Sequence, residues 1–424
     1  MNKKISLGLA LSLIAVSVAV TFILTSFFSL QSFNTKVVDV NAKAKKYSAL
    51  QSLDSIVRES YLGEIDEDTL EAGILKGYVQ GIDDKYSRYL TEEEYLTEQN
   101  ENSGTLVGLG LTLDEDESGY IRIAEILSSS PAADLGLAQN DLIIKIDGLD
   151  VKEMGFTEAA NNMKGTEGSS ISLTIRRNGK DTEYKFTRRA IVVNSVESEM
   201  LGSLIGYIKI NSFKDNTPEQ FINALERLTA NGAKSIIFDL RGNAGGLVSA
   251  LEECLDPLLP EGIIAASEYK DGHTETLIYS DASELNIPMA VIVDKHTASA
   301  AELFTASLRD FGKASVVGEQ TYGKGVMQDI FELDEGGAVV LTVAKYRTAV
   351  SECYDGIGIT PDYPVENGDD GADMQYNKAV EVLQLMTAQK KLWRYFRYRY
   401  FYINTYTIYI SKLFSNLKKY GIII

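Results

Sequence analysis

A serine and a lysine with suitable surroundings for covalent catalysis lie 25 residues apart in the chain. Ser299 stands in an alanine-rich run, and Lys324 lies between two glycines in residues 321–325. The chain holds only two histidines, His273 and His296, so a hydrolytic serine must find its base elsewhere. A lysine can act as a general base when its amine is neutral. The pair therefore predicts nucleophilic chemistry by Ser299 with Lys324 as the base.

The lysine segment also resembles a phosphate-binding loop. Residues 318–325 nearly match the spacing G-x-x-x-x-G-K-[ST], but Gly325 stands where the magnesium-binding hydroxyl is required. The residues that follow, 326–346, predict a β-hairpin, whereas a phosphate loop is followed by a helix. These two departures exclude nucleotide binding.

The expected position of Ser299 suits an attacking oxygen. A buried strand, Met289 to Asp294, precedes it and a helix that ends near Gly312 follows it, so its hydroxyl would lie in the positive field of a helix N-terminus. The alternative is a serine that only caps the helix. On the strand that follows Lys324, Gln328 lies two residues after Val326, so the two side chains would share a face and the Gln328 amide could orient the lysine. The alternative is that the Lys324 and Gln328 side chains are simply exposed.

A glycine-rich loop supplies a third element. Residues 235–240 predict a buried strand, residues 241–246 a loop, and residues 247–255 a helix. Backbone N–H groups at such a turn are the usual donors of an oxyanion hole. A generic strand-to-helix turn would have the same composition.

The elements around these segments alternate between strand and helix from about residue 200. Leu204 to Ile210 predicts a strand, and a helix follows from Thr217 with Pro218 in its first turn. This alternation predicts an α/β core. Residues 46–96, upstream, predict a polar helical region.

Between these parts, residues 105–190 predict a small β-rich module. It opens on Gly108-Leu109-Gly110-Leu111. Successive backbone N–H groups in such a loop can converge on an anion, and the edge of the next strand can pair with an extended peptide. A G-x-G loop by itself is more often only a tight turn.

Residues 105–190 resemble a PDZ domain. Together with the serine, lysine and glycine-rich segments they resemble the C-terminal processing peptidases, also called tail-specific proteases. The likeness extends over roughly residues 48–388 and includes Asp83-Asp84-Lys85-Tyr86-Ser87 and Gly358-Ile359-Thr360-Pro361-Asp362. It implies a core related to the crotonase and Clp protease folds, with the PDZ-like domain inserted into or preceding it.

The resemblance also implies roles for individual residues. Ser299 and Lys324 would form the catalytic dyad, with Gln328 supporting the lysine. Gly245, Gly246 and Ala300 would provide the oxyanion hole. Gly108, Leu109, Gly110 and Leu111 would bind the substrate's terminal carboxylate, and Lys164 would be a further peptide-binding residue of the PDZ-like domain. No metal or cofactor is implied. The chain departs from the family at Lys164, where an arginine is usual, and at residues 348–351, which lack the usual P-S-G.

The composition of the chain limits the classes of molecule that it can bind. The formal net charge is -19, which argues against nucleic acid because phosphate binding needs a clustered basic surface. Protein or peptide substrates bound by their C-termini are expected instead, and a homodimer is left open. The two cysteines, Cys254 and Cys353, exclude a disulfide-dense scaffold and leave one bridge open.

The N-terminus predicts a membrane anchor. Ile5 to Phe28 is a stretch of 24 uncharged residues behind two lysines, and as a helix it would span roughly 36 Å at ~1.5 Å per residue. A cleaved signal peptide is the alternative. The favoured interpretation is a single-pass protein of the cell membrane, with its catalytic body on the extracytoplasmic side.

These predictions divide the chain into six parts. Residues 1–30 are the cytoplasmic stub and transmembrane anchor, 31–103 a helical region, 104–190 the PDZ-like domain, 191–366 the α/β peptidase core, 367–389 a C-terminal helix, and 390–424 a basic aromatic tail. The tail could bind an anionic membrane surface. The alternative is an appended segment that has no evolved role. A membrane-anchored serine endopeptidase is the predicted function. The alternative is a non-catalytic PDZ scaffold with a degenerate peptidase domain.

Overall fold

The computed structural model describes residues 8, 16–18, 20–22, 24–26, 45, 47–202, 204–281, 283–368 and 371–388. The chain forms two compact units, residues 1–75 and 76–424. Most of the predicted anchor and all of the predicted basic tail lie outside the described residues. Among the residues that are described, no helix is both long and apolar enough to cross a bilayer.

In the first unit, residues 47–60 are helical. Arg58 forms ion pairs with Asp54, one helical turn earlier, and with Glu67. Exposed pairs of this kind contribute little to stability.

The helices, in chain order, are α1 (Glu67–Gln80), α2 (Glu92–Asn102), α3 (Pro131–Asp134), α4 (Val151–Met154), α5 (Phe156–Met163), α6 (Thr217–Ala230), α7 (Val248–Leu255) and α8 (Ala300–Asp310). A 3-10 turn spans Asp256–Leu258, and residues 374–388 are helical. The strands are β1 (Arg88–Leu90), β2 (Thr105–Gly108), β3 (Leu111–Glu115), β4 (Ile121–Ile126), β5 (Leu142–Ile146), β6 (Leu149–Asp150), β7 (Ser170–Arg177), β8 (Lys180–Thr187), β9 (Arg189–Val192), β10 (Val196–Leu201), β11 (Ile205–Ile210), β12 (Ser235–Asp239), β13 (Gly262–Tyr269), β14 (Thr274–Ser280), β15 (Met289–Val293), β16 (Ala314–Gly318), β17 (Val326–Glu332), β18 (Ala338–Thr348) and β19 (Tyr363–Pro364).

The β-rich module forms a sheet of its own. Its strand order is β3-β4-β5-β7-β8, with β6 paired to β5, while β2 pairs with β9 separately. Alternate residues of the strands face one core, as in β7, where Ile171, Leu173 and Ile175 are buried. Strand β3 lies at the edge of this sheet, so one side of its backbone is open to pairing.

The α/β core is built on a sheet of order β10-β11-β12-β15-β16-β19. Only β10 runs antiparallel to its neighbour. Strands β12 and β15 are buried at every position, which fits a parallel sheet that is covered on both faces. One face packs on α6, α7 and α8 through a cluster that includes Phe221, Phe238 and Phe304. The mixed α/β architecture predicted from the sequence is confirmed.

A second core sheet is organised around β18. This strand pairs with β1, β13 and β17. The pairing corrects the expectation that residues 46–96 are wholly helical, because Arg88 to Leu90 pair with Val340 to Ala338. A three-residue strand shows too little alternation to be recognised in the sequence, and its partner lies about 250 residues away.

Strands β12 and β15 are neighbours and parallel. The glycine-rich loop follows one and the Ser299 segment follows the other, so both segments leave the same edge of the sheet. Ligands of open α/β sheets bind at the carboxyl ends of the strands.

The two cysteines are free thiols.

Candidate active site

Ser299 is held in an uncommon backbone conformation. It is the N-cap of α8, with φ 56° and ψ -121°, and it is 6% exposed. A non-glycine residue in such a region costs roughly 1–3 kcal/mol, and strain of this kind concentrates at functional sites. Its side chain therefore lies at the positive end of α8, as predicted, in a geometry that the surrounding contacts must impose.

The Glu302 carboxylate imposes part of that geometry. Its side chain is fully buried, and Oε2 accepts hydrogen bonds from the backbone N–H groups of Ser299 (2.9 Å) and Lys324 (2.8 Å). Oε1 accepts from Thr321 Oγ1 (2.5 Å) and from the Gly323 N–H (2.7 Å). Burial raises the pKa of Glu302, while these hydrogen bonds act in the opposite direction. One buried carboxylate thus joins the Ser299 turn to the Lys324 loop.

Lys324 lies in surroundings that favour its neutral form. Burial lowers the pKa of Lys324, and the positive charge of Arg88 lowers it further; the nearby carboxylates of Asp84, Glu302 and Glu98 act in the opposite direction. A depressed pKa is what a lysine base requires. In the described part of the chain, Nζ makes no hydrogen bond to Ser299 Oγ, a contact that often tightens only when substrate binds.

Gln328 does not contact Lys324 in this structure. Its amide donates to the carbonyl oxygen of Val326 on the same strand, at 3.3 Å. A register shift between Met327 and Gln328 interrupts the alternation of β17, so the face shared by Val326 and Gln328 cannot be read from residue spacing. The role expected of Gln328 stays a prediction.

The glycine-rich loop meets Ser299 directly. A Cβ at Gly245 would lie 2.8 Å from Ser299 Cβ and 3.0 Å from the Ala300 nitrogen. The Gly245 N–H is engaged, because it donates to Asn243 Oδ1 at 2.8 Å. Across the described residues the N–H groups of Gly246 and Ala300 have no partner, so these two are the donors left for an oxyanion.

Asn243 braces the loop from inside. It is fully buried, its side chain donates to the Ile210 carbonyl (2.8 Å), and its own carbonyl accepts from the Ala298 N–H (2.9 Å). The amide thus ties the loop after β12 to β11 and to the turn before Ser299. Rigid support of this kind keeps the backbone N–H groups of the loop in a fixed orientation.

Gly245→Ala is expected to lower turnover by at least ~100-fold, because the added methyl group would push on the Ser299 turn and an error of ~1 Å in a catalytic group costs that much. Gly242→Ala is the matched control. Both glycines have positive φ, 105° and 74°, but only Gly242 has open space around its Cβ position. Steady-state kinetics of the two variants separate a steric clash with the Ser299 turn from the backbone strain that both substitutions introduce. Equal losses of turnover in the two variants would contradict close packing at Gly245.

Tyr346 is a further polar neighbour of the nucleophile. It is 3% exposed, and burial raises the pKa of its hydroxyl to about 12, with the nearby Ser299 side chain acting in the opposite direction. Its backbone N–H donates to the Gly325 carbonyl at 2.9 Å. Tyr346 therefore contacts both sides of the site and stays protonated at neutral pH.

The Lys324 loop is fastened from outside by a later segment, residues 353–359. The Ile359 N–H donates to Thr321 Oγ1 (2.6 Å), and the Gly356 N–H donates to the Gly323 carbonyl (2.9 Å). The lysine loop is therefore held by hydrogen bonds on two sides.

The loop after β12 has its own anchor. Arg241 binds Asp239 through Nε and Nη2, and Nη1 binds Asp373 at 2.8 Å. Tyr207 donates its hydroxyl to Asp239 at 2.7 Å. Because Arg241 is largely buried, this network ties the start of the loop to the residues just before the last helix.

The predicted carboxylate-binding loop links β2 to β3. Gly108 ends β2, Leu109 is buried, Gly110 has φ 73°, and Leu111 begins β3. Within the described residues, the N–H groups of Leu109 and Gly110 donate no hydrogen bond. They are available to an anion beside the open edge of β3.

Lys164 is exposed, immediately after α5. The adjoining loop is held instead by Arg188, which donates to the carbonyl oxygens of Met163 (3.0 Å) and Asn162 (3.2 Å). A Cβ at Gly165 would lie 2.7 Å from the Arg188 guanidinium carbon. A buried arginine from elsewhere in the chain therefore supports this loop, and within the described residues no hydrogen bond or ion pair joins Lys164 to the serine or lysine segments.

Glu302, Asn243 and Tyr346 were not singled out in the sequence. Only Glu302 carries a local signal, because a glutamate three residues after an N-cap serine is the spacing of a capping box. The other two depend on contacts between distant segments, which no local pattern reveals.

Two family models match the α/β core and the β-rich module. A model of peptidase family S41 matches residues 204–365, and a PDZ domain model matches residues 99–176. The carboxy-terminal processing protease CtpA of Bacillus subtilis is 34% identical over 355 residues, which is 82% of this chain and 76% of the relative. A carboxyl-terminal-processing protease of Picosynechococcus is 35% identical over 71% of this chain and 76% of the relative.

Among solved structures, a protein assigned to the S41 proteases, from Bacteroides fragilis, matches with a TM-score of 0.50 at 18% identity. The match covers 79% of this chain and 96% of the other. At that identity the likeness concerns the fold.

Proposed function

This chain belongs to the carboxyl-terminal processing proteases of peptidase family S41, which makes it a serine peptidase with a PDZ domain, and on that premise we propose a mechanism, a substrate and a location. Ser299 is the nucleophile and Lys324 the general base of a Ser-Lys dyad. The observation that carries this assignment is the Glu302 carboxylate, whose Oε2 accepts from the backbone N–H groups of both residues.

In this mechanism Ser299 Oγ attacks the scissile carbonyl carbon while its proton passes to Lys324 Nζ. The N–H groups of Ala300 and Gly246 donate to the oxyanion of the tetrahedral intermediate. Lys324 then returns the proton to the leaving amine and an acyl-enzyme remains. A water molecule that Lys324 deprotonates releases the acyl group. Gln328 would orient the lysine after a shift from its present partner.

Substrates are proteins or peptides recognised at their C-termini. The supporting observations are the open edge of β3 and the free N–H groups of Leu109 and Gly110 beside it. An extended peptide can add a strand to such an edge, with its terminal carboxylate on the loop N–H groups. Gly108 and Leu111 flank those donors, and the exposed Lys164 adds positive charge to the same module.

The protease is anchored in the cell membrane by residues 5–28, with its catalytic body on the extracytoplasmic side. The support is the uncharged stretch behind two lysines in the sequence. Flotation of the full-length chain with membranes, compared with a variant that lacks residues 5–28, tests the location. Recovery of both in the soluble fraction would contradict it.

The dyad assignment is tested with a fluorophosphonate probe, which labels activated serines. The full-length protein in detergent should be labelled at Ser299, and Ser299→Ala should lose the label entirely. Ser307→Ala is the matched control, because Ser307 lies in the helix that Ser299 caps and its buried hydroxyl has no hydrogen-bond partner among the described residues. Absence of label in the unmodified protein would instead favour a non-catalytic PDZ scaffold.

A further inference from the structure

Tyr86 contacts the lysine of the proposed dyad. The Nζ atom of Lys324 lies 4.8 Å from the centre of the Tyr86 ring. Cations within about 6 Å of an aromatic face are attracted by the electron-rich ring. The Tyr86 hydroxyl is buried and has no hydrogen-bond partner within the described residues. The described contact between Tyr86 and Lys324 is therefore made by the ring and not by the hydroxyl.

The segment that carries Tyr86 is firmly held. Asp84 Oδ2 accepts from Ser87 Oγ and from Thr342 Oγ1 (2.7 Å), and the Thr342 N–H donates to Ser87 Oγ (3.1 Å). Strand β1, which begins at Arg88, then pairs with β18. Because β18 also pairs with β17, which starts two residues after Lys324, Tyr86 and Lys324 each precede a strand that pairs with β18.

Among the described residues, no side chain forms a hydrogen bond or ion pair with the Lys324 amine. Gln328 donates to the carbonyl of Val326, and Glu302 binds the backbone of the lysine rather than its amine. We propose that Tyr86 is a positioning residue for the catalytic reaction, whose ring face orients Lys324 Nζ and stabilises the ammonium formed when Lys324 takes the proton from Ser299. This inference rests on the proposed role of Lys324 as base.

The ring adds to one of two opposing sets of influences on the Lys324 amine. Burial and Arg88 favour the neutral form of Lys324, while Asp84, Glu302 and Glu98 favour the charged form. A lysine that is too weakly basic cannot accept the serine proton, and a strongly basic one stays protonated. The contact with the Tyr86 ring also favours the charged form, so removal of the ring should make Lys324 less basic. Lys85, whose Nζ lies 4.5 Å from the same ring centre, is present in every variant below.

The experiment measures kcat/KM against pH for the full-length protein with Tyr86→Phe, Tyr86→Leu and pentafluorophenylalanine at position 86. The fluorinated ring keeps the shape but loses the electron-rich face, so it remains informative if Tyr86→Leu fails to fold. Leucine and the fluorinated ring should each lower the plateau about 10-fold and move the acid limb about half to one pH unit lower, as expected for loss of one cation–π contact. Tyr86→Phe should keep the limb of the unmodified protein.

Tyr89→Leu is the control, because Tyr89 belongs to the same segment and, among the described interactions, no hydrogen bond or cation–π contact joins it to Lys324. An unchanged acid limb in both ring-altered variants would overturn the inference, whatever happens to the plateau. A limb that moves as far in Tyr86→Phe would also overturn it, since the hydroxyl would then be responsible. Failure of the dyad itself is distinguishable, because it appears as full activity in Lys324→Ala.

Discussion

Alanine at Ser299, at Lys324 or at both positions is expected to lower kcat/KM for a protein substrate by at least ~10³-fold, with the double variant no worse than either single one. The physical reason is that the two residues act as a unit. Without Lys324 the serine keeps its proton, and without Ser299 the lysine has nothing to activate. Single-turnover kinetics on the three purified full-length variants measure the effect.

The pH dependence follows from the direction of the Lys324 shift. Because burial and Arg88 lower the pKa of Lys324, kcat/KM should rise as the pH passes upward through that lowered pKa and the amine loses its proton. The residual activity of Lys324→Ala should lack this acid limb. Lys270→Ala, an exposed lysine in a turn, is the control. Additive losses in the double variant would mean that the residues work independently, contrary to a dyad.

Glu302→Gln is expected to reduce both stability and turnover. The amide keeps the size of the carboxylate but has one acceptor oxygen, so its NH₂ group must face either the donors of Ser299 and Lys324 or those of Thr321 and Gly323. Each buried donor left unpaired costs about 1–3 kcal/mol. Displacement of the Ser299 turn or the lysine loop should lower kcat by about 100-fold.

Two measurements separate the effects of Glu302→Gln. Thermal unfolding reports the lower Tm, and the rate of fluorophosphonate labelling, taken well below that Tm, reports the nucleophile in folded protein. Glu226→Gln, an exposed glutamate on α6, should leave both unchanged. Wild-type labelling and Tm in Glu302→Gln would show that the carboxylate does not organise the site.

The parts of the fold and site that the sequence predicts are those with local signals. The strand before Ser299, the helix after it and the hairpin after Lys324 each lie in one continuous segment, so periodicity and turn residues identify them. The glycine-rich loop was likewise recognisable. Its exact donors were not, because the engagement of Gly245 by Asn243 depends on how the loop folds back on itself.

The parts that the sequence does not predict arise from pairing between distant segments. Arg88 to Leu90 become a strand only because β18 offers an edge, and that pairing places Tyr86 beside Lys324. A register shift in β17 redirects Gln328. Residue spacing assumes regular geometry, so neither outcome is visible until the sheet is assembled.

The fastening of the lysine loop by residues 353–359 has a consequence for biosynthesis. Chains emerge N-terminus first, so Ser299 and Lys324 are both made before Gly356 and Ile359, whose N–H groups hold the loop. Until that later segment folds back, the base lacks half of its support. The lysine loop can therefore reach its final, hydrogen-bonded form only after residues 356–359 have been synthesised.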